Sequence, residues 1–96
     1  MDLATVTAAD FEPLLHQAFA LDESDGAALT LVEIDSRAAD GNDARSAFTL
    51  IFRAAEGIDS PQGIFQLSHA HTGEFELFLV PLGLEGGHMM YQAVFA

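Results

Sequence analysis

Before Ala18 the apolar residues of the chain recur at intervals of three and four, and after it they recur at every second position. Phe11, Leu14, Leu15 and Ala18 share one helical face at the first spacing. Thr7 is a good N-cap with Asp10 three residues on, a near capping box, and Val6 and Phe11 are spaced as a hydrophobic staple. Pro13 arrives in the second turn without the N–H that would bond back to Ala9. The spacing predicts a short helix, broken or kinked near Glu12, lying across an end of a sheet.

The rest reads as strands and turns. Phe19 and Leu21 alternate with Ala20 and Asp22, and the polar stretch Asp22-Glu23-Ser24-Asp25-Gly26 leads into Leu29-Thr30-Leu31-Val32-Glu33-Ile34, the pattern of a first hairpin. Ser36 to Ser46, with Asp40-Gly41-Asn42-Asp43 and few apolar residues larger than alanine, is expected to be the most mobile loop. From Ala47 to Ala54, Phe48, Leu50 and Phe52 fall on one face and Thr49, Ile51 and Arg53 on the other. A turn through Ser60-Pro61-Gln62-Gly63 leads to a strand from Ile64 to His69 with Phe65 and Leu67 inward, and Ala70-His71-Thr72-Gly73 closes a hairpin to Glu74 through Pro81. In that strand Phe75, Leu77 and Leu79 form one face, while the other changes from Glu74 and Glu76 to Phe78 and Val80. Its far half is therefore expected to be covered on both sides, and Phe78→Asp to unfold the protein. Leu84-Glu85-Gly86-Gly87 makes the last turn and Met89 to Phe95 the last strand. The pattern predicts a mainly β chain of α+β type. A short N-terminal helix precedes about six antiparallel strands that form a small barrel or sandwich, and residues 1–96 make one domain.

Composition fits one core. Half the residues are apolar and eight are Phe, enough to offset the entropy lost on folding. Cysteine is absent, which excludes disulfides, thiolate metal sites and cysteine nucleophiles. The start Met1-Asp2-Leu3-Ala4-Thr5-Val6 lacks a basic, then apolar, leader, and no apolar run is long enough to span a bilayer, so a cytoplasmic location is expected. Fifteen Asp and Glu stand against Arg37, Arg45 and Arg53, with no lysine. Phosphate backbones and anionic membranes need clustered cations, so neither nucleic acid nor membrane is expected as a partner. A basic protein surface or a metal cation suits this charge better, as does the simpler reading that an acidic surface keeps a small domain soluble.

Candidate chemistry is sparse. His69 and His71 place both rings on one face of a strand, and Glu74 and Glu76 lie just across the proposed turn. Two His and a carboxylate suit zinc or ferrous iron, although a site needs a third convergent ligand; the plainer reading is a solvated hairpin end. Asp22 to Glu33 has an acid at each end, yet Gly26 and Ala27 stand where a calcium loop needs an oxygen ligand and then glycine. Ser68 beside His69 cannot pair as nucleophile and base, because successive strand side chains point to opposite faces. No Gly-x-Ser-x-Gly elbow occurs, and Gly83, Gly86 and Gly87 fall in a strand-to-strand turn, not ahead of a helix. His16 suits the end of the helix, where a cation meets the dipole, and His88 stands beside a glycine pair. Gln66, Gln92 and Tyr91 read as sheet-surface or hydrogen-bonded core groups, and Met89 and Met90 as core or as an adaptable contact surface. No catalytic residue and no cofactor are assigned.

Several segments together resemble a family of small uncharacterised bacterial proteins, a domain of unknown function. They are Leu3 to Leu21 with its Thr-Ala-Ala-Asp-Phe start, Phe48-Thr49-Leu50-Ile51-Phe52, Pro61-Gln62-Gly63-Ile64-Phe65, His69 through Gly73, Leu77 through Gly83, and Tyr91-Gln92-Ala93-Val94-Phe95. Where that family has a tyrosine after Pro-Gln-Gly, this chain has Ile64-Phe65, and Ala96 replaces a polar C-terminal residue. The resemblance implies a shared fold, no activity, and an association with phage-tail-like or other structural proteins.

Two functions follow as expectations. The first is a non-enzymatic protein-interaction or accessory module, binding a protein partner or itself through the free strand edge of an incompletely closed barrel. The second is a small-ligand or metal-binding β-barrel with a site near His69, His71, Glu74 and Glu76. An interior filled by Phe side chains favours the first, and a cavity lined by converging polar groups favours the second.

Overall fold

The computed structural model describes residues 6–21, 28–36, 48–55 and 62–95. The turn and calcium-loop reading at residues 22–27, the loop at 37–47, Arg37, Arg45, the turn at 56–61 and Ala96 lie outside the described residues. The chain runs through helix α1 (Ala8–Phe11), a 3-10 turn (Glu12–Leu14) and strands β1 (Ala18–Leu21), β2 (Ala28–Ser36), β3 (Phe48–Ala54), β4 (Gly63–His69), β5 (Gly73–Glu85) and β6 (His88–Phe95). The strands are all antiparallel and close into a six-stranded barrel in the order β1-β2-β3-β6-β5-β4. Among the described residues, no helix is long and apolar enough to cross a membrane.

The barrel is two three-stranded meanders, β1-β2-β3 and β4-β5-β6, sealed by two contacts between strands far apart in sequence. One is the β3–β6 ladder, Phe48↔Phe95 through Arg53↔Met90. The other is the shorter β1–β4 pairing, Ala20↔Ser68 and Leu21↔Leu67. Closure corrects the expectation of a free strand edge: six strands with a strong twist satisfy their edges on one another. Two bulges bend the wall, leaving Val32 unpaired in β2 and Leu82 in β5. Gly83, at φ 120, supplies the backbone conformation the second bulge needs. Pro81 adjoins that bulge, beyond the end of the β4–β5 ladder at Leu79, where a missing N–H costs least.

The helix forms and breaks where the sequence indicates. The Thr7 N–H donates to the Asp10 carboxylate at 2.8 Å, and the α-helical turn tightens into a 3-10 turn across Pro13. His16 adopts a left-handed conformation (φ 70), which reverses the chain into β1, and its N–H donates to the Leu31 carbonyl at 2.6 Å. Phe11 is fully buried and closes one end of the barrel, its ring 6.0 Å from that of Phe48 and 5.8 Å from that of Phe95.

Alternation does the rest. Phe48, Leu50, Phe52 and Ala54 of β3 point inward, as do Phe75, Leu77 and Leu79 of β5. Phe19 meets Phe52 and Phe75 edge-on, with centroids 5.8 Å apart in both pairs, the geometry that aromatic quadrupoles favour. Leu31, Phe52 and Tyr91 sit side by side across β2, β3 and β6. The described interior buries apolar side chains and the Tyr91 ring, with no other polar or charged residue among them. One expectation fails here: Phe78 is 54% exposed, so the outer side of β5 is uncovered at Phe78, while Val80 beyond it is half-buried.

Candidate functional site

Two places on the barrel collect the residues that sequence reasoning singled out or missed. The first is a histidine corner where the β4–β5 hairpin meets the segment leading into β1. The His71 N–H donates to His69 Nδ1 at 3.0 Å, which leaves the proton of a neutral ring on Nε2, and that nitrogen lies 2.7 Å from Gln17 Oε1. Gln17 in turn donates from Nε2 to the Pro13 carbonyl at 3.2 Å. The His69 ring lies 4.9 Å from that of Phe19 and 5.6 Å from that of His71, stacked on the latter. The chain Pro13–Gln17–His69–His71 thus ties the 3-10 turn to the hairpin.

The structure stacks His69 on His71, and no three of His69, His71, Glu74 and Glu76 converge. Those carboxylates flank the buried Phe75 on the outer face of β5, opposite Ser68 and Gln66, whereas His69 packs inward on Phe19. Both nitrogens of His69 are engaged, so ligation through this ring would break one of its two hydrogen bonds. Among the described residues, no group of three or more His, Cys, Asp and Glu side chains is arranged to hold a metal ion. His88 serves the barrel in a similar way, with Nδ1 2.9 Å from the Ala54 carbonyl at the end of β3.

The second place is the outer wall of β3, β6, β5 and β4. The ladders lay its outward residues in rows that continue onto β2: Glu33 pairs with Ile51, Ile51 with Gln92 and Gln92 with Val80, and in the next row Asp35 pairs with Thr49 and Thr49 with Val94. Phe78 stands directly opposite Ile64. Ile64 at 66%, Val94 at 65% and Leu84 at 71% are more exposed even than Phe78, and Leu82 is also exposed. Polar residues normally occupy the solvent face of an antiparallel barrel, so large apolar side chains gathered there signal a contact surface. Of these residues the sequence had drawn attention to Phe78, and to cover it rather than expose it. Ile64, Leu82 and Val94 share its orientation, a signal visible only when strand parity is followed through the register.

Beside this face, where the β5–β6 hairpin overhangs β2 and β3, lie two open grooves. One, of about 280 Å³, has Ile51, Leu82, Leu84 and Met90 as apolar walls and Glu33 and Glu85 as its acids. The other, of about 360 Å³, shares Glu85 and Met90 and adds Val32, Arg53 and His88. Both lie on the outside of the barrel wall, away from the packed interior.

No curated protein and no solved structure matches the chain. A family model does, across residues 6–95, from the residue before the cap of α1 to the last residue of β6. The match takes in the whole barrel, and the chain belongs to DUF6916, a domain of unknown function.

Proposed function

We propose that this chain is a non-enzymatic protein-interaction module that binds through the outer apolar face of β3, β6, β5 and β4. The observation that carries the reading is the Ile64–Phe78 pair: two large apolar side chains directly opposite one another, each more than half exposed. Leaving such a pair in water forgoes stabilisation that burial against a partner recovers, at about 25 cal/mol per Å² of apolar surface. The interior supports the same reading, since the described core is packed with Phe and Leu side chains and the open grooves lie outside it. Binding through a face replaces the strand addition expected for an open edge, because the barrel is closed. The sequence resemblance suggests a phage-tail-like or other structural protein as the partner.

Affinity capture from native lysate tests this. Tagged wild-type chain should retain a protein that is lost when Ile64→Ser, Phe78→Ser and Val94→Ser are combined in a variant that still melts cooperatively. Equal capture by both chains, or capture no richer than with a charge-matched control domain, would refute it.

A further inference from the structure

The groove beside the apolar face narrows the chemistry of the partner, and this inference rests on the reading of that face as the binding surface. We propose that the groove walled by Ile51, Leu82 and Met90 takes a lysine or arginine side chain from an apolar segment of the partner, with its charge held at Glu33 and Glu85. The walls and the acids fit the two ends of such a side chain: methylenes lie along apolar surface while the cation stays at the wet rim. Arg53 lines the neighbouring groove, so a cation is favoured on the Glu33 side and disfavoured on the other. The register makes the groove continuous with the apolar face, since Glu33 is opposite Ile51, Ile51 opposite Gln92, and Gln92 opposite Val80. One extended segment can therefore set apolar residues against Phe78 and Val94 and a basic residue in the groove.

Charge argues against a second copy as the occupant. The chain carries a net charge of −12 with three arginines and no lysine. Two copies meeting through this face would set one acidic surface against another without a lysine to offset Glu33 and Glu85, a like-charge arrangement that costs association free energy. A partner with lysines or arginines among apolar residues meets no such cost.

The test uses isotope-labelled protein and an acetylated, amidated Val-Ser-Phe-Ser-Lys peptide, whose Val, Phe and Lys share one side of an extended chain, beside the same peptide with norleucine in place of lysine. The lysine peptide should shift amides at Glu33, Ile51, Glu85 and Met90, bind more weakly as salt is raised, and outcompete the norleucine peptide. Because exposed ion pairs are individually weak, Glu33→Gln and Glu85→Gln should each lower its affinity about threefold and together about tenfold. Glu74→Gln, at the end of β5 remote from the groove, should leave it unchanged.

Equal binding of the two peptides, an effect of Glu74→Gln equal to that of the groove variants, or no binding at millimolar peptide would overturn the groove assignment. So would a dimer in sedimentation equilibrium that the Glu33→Gln, Glu85→Gln variant strengthens. If Ile64→Ser with Phe78→Ser weakens both peptides while the groove variants weaken neither, the apolar face stands and the groove proposal fails.

Discussion

Phe78 and Leu79 are neighbours in β5 that face opposite sides of the barrel wall, so one substitution made at each tests the orientation of the strand. Leu79 is fully buried, and Leu79→Asp removes a burial worth ~1.5–3 kcal/mol while placing a carboxyl group among apolar side chains, at a further cost of several kcal/mol. The sum, at least about 5 kcal/mol, reaches the lower part of the total stability of a typical domain, about 5–15 kcal/mol. Phe78 keeps roughly half its surface in water, so Phe78→Asp forgoes about 1 kcal/mol of burial. Losing the cross-strand contact with Ile64 adds ~0.2–1 kcal/mol, and the poor strand preference of Asp up to about 1 more. Urea denaturation followed by far-ultraviolet circular dichroism should show a cooperative transition for Phe78→Asp, lowered by about 1–3 kcal/mol, and none for Leu79→Asp. If Phe78→Asp is the variant that loses its transition, the outer face is covered and the proposed contact surface does not exist.

The Gln17–His69 hydrogen bond, at 2.7 Å, should give a coupling of about 1 kcal/mol in a double-mutant cycle of Gln17→Ala and His69→Ala read by urea denaturation; additive losses would contradict it. Gly83→Ala should cost ~1–2 kcal/mol through backbone strain alone, because a Cβ there meets nothing within 4 Å while φ is 120. Gly63→Ala, with equal space and no positive φ, should change stability by less than about 0.5 kcal/mol, and matching losses at the two glycines in the same denaturation assay would contradict the bulge geometry.

What the sequence made legible was local. The Thr7–Asp10 spacing and Pro13 mark the helix and its tightening, because capping and a missing N–H act within a single turn. Alternation marks the inward rows of β3 and β5, because strand side chains change face at every residue. The β3–β6 and β1–β4 pairings are not legible in this way, since they join segments whose patterns carry no record of one another. Phe78 shows a related limit: two apolar faces on one strand look alike whether the second is covered by the chain or kept for another molecule. The His-x-His pair shows the same limit. Its spacing suggests a metal, yet what engages His69 is Gln17, 52 positions away. Glu33 and Glu85 come to one groove through a bulge in β2 and the turn of the β5–β6 hairpin, neither of which their sequence positions reveal.

Solvent relaxation enhancement of methyl groups by a soluble gadolinium chelate measures directly whether the closed barrel turns large apolar side chains outward. Strong enhancement at Ile64, Leu82, Leu84 and Val94, with little at Leu29, Leu31, Leu50 and Leu79, is the predicted result. Similar protection of both sets would show the outer face to be covered and would rule out an exposed apolar contact surface.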